Sequence, residues 1–288
     1  MFVTRFAPSP TGLLHRGHAF SALTAHEAAR VVDGRFLLRI EDIDATRCRP
    51  EYEAAIYEDL AWLGLAWETP VRRQSEHLDD YQGALERLEA AGLLYRCFRT
   101  RKEVAQEIAR APHGAMEVFR GAPLPRGEEA RRLAAGEPFA WRLSLDAAAR
   151  ALGGFGALTF VEEGSGEPRV VQARPELGGD VVLARKDVGV AYHLAVVFDD
   201  ALQGITHVVR GEDLFEATHV QRLLQALLGL PTPVYRHHRL LTGPDGRRYA
   251  KRDRSETLRE LRARGVTPED LRREMGFDDR PKPASRPS

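Results

Sequence analysis

The first forty residues constrain the fold most, because they read as a strand, a turn, a helix and a second strand in immediate succession. Residues 2–7 (FVTRFA) favour β structure and are broken by Pro8, Ser9, Pro10, Thr11 and Gly12. A helix is predicted from about Arg16, with Phe20, Leu23, Ala28, Val31 and Val32 apolar, and Asp33 with Gly34 stops it. Residues 35–40 (RFLLRI) form the next strand. Strands joined through a helix predict a parallel sheet.

Residues 50–64 and 76–92 are helical by period and by their terminal glycines. Residues 97–180 differ: Pro112, Pro123, Pro125, Pro138, Pro168 and Pro175, with many glycines, predict an irregular insertion whose stretches 137–146 and 157–161 supply strands. Sheet patterns return at 179–184, 190–199 and 205–210. A helix over 215–228 ends at Gly229, short helices fill 256–275, and the tail 277–288 is expected to be disordered.

The 288 residues are 43% hydrophobic and 29% charged, which excludes a disordered chain. Cys48 and Cys97 are too few for a disulfide framework, so reduced thiols are expected. No secretory signal and no stretch of membrane-spanning length is apparent, so a cytoplasmic protein without a membrane partner is expected. The 42 basic and 42 acidic residues cancel, which argues against coating nucleic acid by overall charge. The balance is local, however. Residues 41–90 hold 13 Asp/Glu against five Arg, the usual mark of solvated helix faces, whereas 246–264 hold eight Arg/Lys against three Asp/Glu. That basic segment points to a polyanionic partner.

The run RFAPSPTGLLHRGH, residues 5–18, delivers His15 and His18 to the first turn of the predicted helix, three apart and so on one face. A helix N-terminus favours anions, two imidazoles there can bond phosphate oxygens, and Gly17 permits close approach to the backbone. A bare His-x-x-His is more often an exposed pair, and a metal pair lacks a third ligand at suitable spacing. The surrounding proline–glycine turn favours phosphate.

That run resembles the signature of the glutamyl-type class I aminoacyl-tRNA synthetases, whose His-Ile-Gly-His motif binds ATP phosphates. The likeness continues in LLRIEDIDATR (37–47), in YHLAVVFDD (192–200) and in HVVRGEDL (207–214). It implies an α/β, Rossmann-like catalytic core with a parallel sheet. The expected division is 1–96 and 181–242 for the two halves of the core, 97–180 for the insertion, 243–276 for a phosphate loop and helical segment. By the same likeness Arg5, Ala7, Ser9, Glu41, Tyr192 and Arg210 line the L-glutamate pocket, and Gly12, His15, Gly17 and His18 meet ATP. Glu41, at a strand end, suits the substrate ammonium, while Arg5 and Arg210 suit carboxylates. The family's second ATP loop falls on GPDGRRYAKRDRS, residues 243–255, with Lys251 as its first lysine and Arg254 in place of the second. The implied chemistry is attack of the α-carboxylate on the α-phosphorus of ATP, with Mg²⁺ neutralising the polyphosphate and His15, His18, Lys251 and Arg254 aligning it.

Many relatives hold zinc in the insertion, but here Cys97 stands without a partner thiol and His113 is that segment's one histidine, so no zinc is expected. Phe119, Phe139 and Trp141 are expected to hold the insertion by packing. Few residues follow the Lys251 loop, too few for an anticodon-binding domain. A catalytic core alone resembles the glutamyl-queuosine tRNA(Asp) synthetases, which imply glutamate transfer to queuosine in the anticodon of tRNA(Asp) by a monomeric enzyme. The alternatives are a truncated glutamyl-tRNA synthetase charging a 3′ end and a catalytically silent paralogue binding tRNA or nucleotide.

Overall fold

Strand β1 (Val3–Phe6) pairs in parallel with β2 (Arg35–Ile40), Val3 facing Arg35 and Phe6 facing Leu38, and helix α1 (Arg16–Arg30) crosses between them. These are the elements expected from the opening residues. The computed structural model describes residues 1–109, 118–164, 166–185, 189–241 and 256–277. Helix α1 packs Ala19, Ala22, Ala25 and Ala29 inward, and such small side chains let a helix lie close on a sheet. Helix α2 (Pro50–Trp62) opens with Pro50 in its first turn and Glu51 and Glu53 beside the positive end of its dipole. It leads to β3 (Glu68–Arg73), which adds in parallel to the far side of β2, and then to α3 (Leu78–Ala90).

The second half repeats the plan. Strands β10 (His207–Gly211) and β11 (Val234–His238) are parallel, with α8 (Phe215–Leu228) between them and Gly229 ending that helix at φ 65°. The amide of Thr206 donates to the Val3 carbonyl at 3.0 Å, so β10 starts beside β1 and the two sheets abut at parallel-paired strands. The cleft between halves therefore opens where β1 and β10 both end, the usual ligand position in such folds.

Between Leu94 and Val190 the described residues alternate short elements with loops. Strands β4 (Leu94–Cys97), β5 (Ala140–Leu143), β8 (Val182–Arg185) and β9 (Gly189–Val190) make an antiparallel sheet. Helices α4 (Arg101–Ala109), α5 (Arg126–Ala134) and α6 (Leu145–Leu152) flank it in sequence. Strand β6 (Thr159–Glu162) instead joins β11, and β7 (Arg169–Gln172) pairs antiparallel with β6. Packing holds this region as expected. Phe139 meets Trp141 edge-on at 5.5 Å, Arg96 stacks over Trp141 at 4.2 Å, and Arg142 stacks over Phe119 at 4.4 Å. Buried Asp180 accepts from the Tyr95 hydroxyl and from the amides of Gly121 and Leu145.

One expected strand is a helix. Residues 190–199 were predicted as sheet, but Tyr192–Leu202 forms α7. Its apolar run is buried nearly all round, at Leu194, Ala195, Val196 and Val197, and such a run carries no period to separate a central strand from a core helix.

Helices α9 (Leu258–Ala263) and α10 (Pro268–Glu274) are each begun by a threonine capping box, at Thr257 and Thr267. They fasten onto the start of α1: the Leu258 amide donates to the Leu14 carbonyl at 2.8 Å, His15 bridges Thr257, and Arg16 pairs with Glu256 at 3.0 Å and Glu274 at 3.1 Å. Among the described residues no helix is long and apolar enough to cross a membrane.

Candidate active site

A cleft of about 600 Å³ lies over the ends of β1 and β10, and Arg5, Ala7, Ser9, His15, Gly17, His18, Glu41, Tyr192 and Arg210 all line it. Gly12 lies in the same turn but is not on the cleft wall, and Lys251 and Arg254 fall outside the described residues.

His15 is the N-cap of α1, and its Nδ1 accepts from the Gly17 amide at 3.1 Å. The His15 amide in turn donates to Nδ1 of His18 at 3.2 Å, and the two rings lie 3.8 Å apart. An imidazole nitrogen that accepts carries no proton, so each neutral ring keeps its hydrogen on Nε2. The motif thus does two jobs. It satisfies two of the orphan amides of a helix start, and doing so sets the tautomer in which both Nε2 atoms donate.

The floor is a buried charge network. Asp200 Oδ1 accepts from Arg5 Nε and Arg39 Nη1, both at 2.8 Å, and Oδ2 from Arg5 Nη2 at 3.1 Å. Arg39, wholly buried, also reaches Glu41 Oε1 at 3.0 Å. Beneath it, Asp199 accepts from Arg72, Gln74 and Tyr81. Burial pushes Asp200 up, but Arg5 and Arg39 outweigh it and hold the carboxyl below its ordinary range. Burial raises Glu41, against the pull of Arg39 and Arg5. Glu41 Oε2 and Arg5 Nη1 have no hydrogen-bond partner among the described residues.

Arg210 is held differently. Its Nε donates to His237 Nε2 at 3.2 Å, and its Nη2 donates to Thr218 Oγ1 at 2.7 Å and to the Leu214 carbonyl at 3.2 Å. Its Nη1 is buried without a partner among the described residues. An unmet buried donor on a charged group is costly, and here it belongs to a residue on the wall of the cleft. Tyr192, 38% exposed, stands on the same wall at the N-terminus of α7, and burial of its hydroxyl raises its pKa.

A family model described as class I tRNA synthetases (E and Q), catalytic domain, matches residues 1–277. The chain belongs to that family. As a class I synthetase it is 48% identical over 284 residues to a glutamyl-Q tRNA(Asp) synthetase of Rhodobacter capsulatus, covering 96% of this chain and all of that one. It is also 40% identical to a glutamate–tRNA ligase 2 of Dinoroseobacter shibae, covering 93% of this chain and 59% of that protein. Among solved structures, a glutamate tRNA ligase from Elizabethkingia meningosepticum in complex with its amino acid superposes with a TM-score of 0.71 at 29% identity, over 88% of this chain and 52% of that one.

Asp200, Arg39 and His237 were not singled out from the sequence. Asp200 had a signal: two adjacent aspartates end an otherwise apolar run. His237 had a weaker one, its alternation with buried Tyr235 on one face of β11. Among the described residues no group of three or more His, Cys, Asp or Glu is placed to hold a metal, and Cys97 is buried without a disulfide.

Proposed function

We propose that this chain activates L-glutamate with MgATP and transfers it to queuosine in tRNA(Asp). The observation that carries the first step is a trio of groups lining one cleft that keep bonding capacity among the described residues: Glu41 Oε2, Arg5 Nη1 and the buried Nη1 of Arg210. Glutamate brings one ammonium and two carboxylates, which match one acceptor and two donors. Charge agrees as well. The buried cations Arg5 and Arg39 and the half-buried Arg72 are offset by Glu41, Asp199 and Asp200, so that among the described residues Arg210 is the buried cation that contacts only neutral partners. Zwitterionic glutamate, with a net charge of −1, neutralises it; glutamine does not.

Adenylation needs no nucleophile from the protein. The substrate α-carboxylate attacks the α-phosphorus, the bond to the β,γ-unit breaks, and pyrophosphate leaves with its electron pair. Charge develops on phosphoryl oxygens, so the task is alignment and fixed donors. The Nε2 hydrogens of His15 and His18, at the positive end of α1, suit those oxygens. Mg²⁺ arrives on the polyphosphate, which needs few protein ligands. Support for Lys251 and Arg254 in the phosphate loop comes from the chain on either side: Leu241 lines the cleft, and Thr257 bridges His15.

For the acceptor, support comes from the 48% identity to the whole Rhodobacter glutamyl-Q tRNA(Asp) synthetase, against 40% to the glutamate–tRNA ligase. The test supplies ATP, labelled glutamate and tRNA(Asp) with or without queuosine, followed by nucleoside mass spectrometry. Label on queuosine alone is expected. Label on the 3′ adenosine would make the chain a conventional glutamate–tRNA ligase instead, and no glutamate-dependent ATP–pyrophosphate exchange would make it a binding protein.

A further inference from the structure

The acceptor for Arg210 Nε is an imidazole where an ion pair would be the ordinary choice, and that imidazole is itself held by a carboxylate. His237 Nδ1 lies 2.6 Å from Glu162 Oε2, while the His237 amide donates to Glu162 Oε1 at 3.0 Å. Glu162 and His237 side chains are only 4% and 3% exposed. We infer that Glu162 and His237 are positioning residues that fix Arg210 by enforcing one protonation state of the imidazole, an inference that rests on the glutamate pocket proposed above.

Because Nε2 accepts from Arg210, the ring's single hydrogen sits on Nδ1 and is given to Glu162. Both carboxylate oxygens accept, so Glu162 is a template with no donor of its own. This chain of bonds solves a conflict in reading a substrate carboxylate. A carboxylate placed directly on Arg210 would orient the guanidinium but would neutralise it and compete with the ligand. A neutral imidazole orients Nε without taking the charge, and the carboxylate that sets the imidazole stands one residue further back.

Protonation reverses the arrangement, since an imidazolium offers Nε2–H to Arg210 Nε–H, donor against donor and cation against cation. Other groups face the ring from each neighbouring element. They are Glu162 on β6, Arg210 on β10, Asp213 in the turn before α8, His219 on α8, and Tyr235 and His238 on β11, while Glu167, Arg169 and Glu212 line the same cavity as the ring. Burial is the largest influence on His237 and lowers its pKa, with Glu162 opposing and Arg210 assisting, so the neutral ring prevails near pH 7. The pair lines a second cavity of about 660 Å³, separate from the cleft that Arg5 and Arg210 line, which gives the proton a route to solvent.

The test measures glutamate KM, ATP KM and kcat by pyrophosphate exchange, with and without tRNA(Asp), across pH for wild type, Glu162→Gln and His237→Gln. A carboxamide has one accepting oxygen and one donating NH2, so it cannot accept at both positions that the two carboxylate oxygens serve. In Glu162→Gln its NH2 meets either the His237 amide or Nδ1–H, and relief by the other tautomer aims Nε2–H at Arg210. The glutamate KM is expected to rise about tenfold, with ATP KM unchanged. In wild type the glutamate KM is expected to climb as pH falls below the ordinary histidine range, and that limb to vanish in His237→Gln, whose amide oxygen still accepts but does not titrate. An unchanged glutamate KM in Glu162→Gln, or an acid limb persisting in His237→Gln, overturns the inference. Should His237→Gln fail to fold, Glu162→Gln decides alone. Failure of wild type to exchange with glutamate removes the pocket assignment and this inference together; exchange in wild type with unaltered variants removes only the latter.

Discussion

Asp200→Asn probes the network under the cleft more sharply than any lining residue. Asn is isosteric, and its amide oxygen can still accept from Arg5 Nε and Arg39 Nη1, the two 2.8 Å bonds. What is lost is the charge and the 3.1 Å bond from Arg5 Nη2, which now faces an NH2 group. Asp200 is 7% exposed and Arg39 wholly buried, so solvent does little to compensate the guanidinium left behind. Removing one partner of a buried pair costs about 3–5 kcal/mol, and the retained acceptor places Asp200→Asn at about 3 kcal/mol. In a chain of this size that lowers Tm by roughly 6 °C. Arg39 then leans on the carboxylates that remain to it, Glu41 at 3.0 Å and Asp199 at 3.7 Å, so glutamate KM rises more than ATP KM. Urea unfolding and pyrophosphate exchange measure the two effects. Adding Arg39→Met restores the charge balance, so the double variant should lose less stability than the sum of its parts. A loss below about 1 kcal/mol for Asp200→Asn, or strict additivity in the cycle, would refute the account of these residues as one charge-balanced unit.

Burial holds His193 well below the ordinary histidine range, at about 4, with Arg210 adding to the effect. The unfolded chain takes up that proton at higher pH than the native one, so stability is intact above about 6.5 and declines towards 4. The contribution is about 2 kcal/mol after allowance for partial exposure, and urea midpoints of wild type and His193→Leu across that window should diverge accordingly. Lys251→Ala should lower kcat for exchange at least about a hundredfold while leaving Tm in place; an unchanged rate would displace the phosphate loop from 243–255. Gly34→Ala sets a Cβ 2.7 Å from the Phe2 carbonyl where β2 begins, and should cost about 2 kcal/mol by urea denaturation, because backbone rather than a flexible side chain must give way. Treatment with a zinc chelator, then removal of the chelator and return of Mg²⁺, should leave Tm and exchange unaltered; a lasting loss of either would reveal a metal site that one thiolate does not predict.

The strands at 35–40 and 205–210 and the helix at 215–228 were legible because their periods and end signals are local: Gly34, Gly229 and the apolar spacing all act within a few residues. Tyr192–Leu202 was not, since a run buried on every side has no face to declare. The site divides the same way. Residues in the dense motifs, Arg5, His15, His18, Glu41 and Arg210, line one cleft. Their supports come from distant segments: Arg5 and Asp200 are 195 positions apart, and Glu162 and His237 75. Nothing local marks a carboxylate as buried. The acidic stretch 41–90 shows the difficulty, because it reads as a solvated face yet contains Glu41, Asp42 and Asp59, the last 1% exposed.

The clasp of residues 256–277 on the start of α1 has a consequence during synthesis. Leu14, His15 and Arg16 leave the ribosome early, whereas Leu258 and Glu274, which hold them, emerge only as the chain nears its last described residues. At about 5–20 residues per second, some 10–50 seconds separate the two events. Through that interval the histidine turn lacks its partner segment, and a nascent chain has no fastened phosphate end at which to engage ATP. Premature termination before residue 256 therefore should yield fragments that compete poorly for nucleotide, even though every residue assigned to glutamate has already been made.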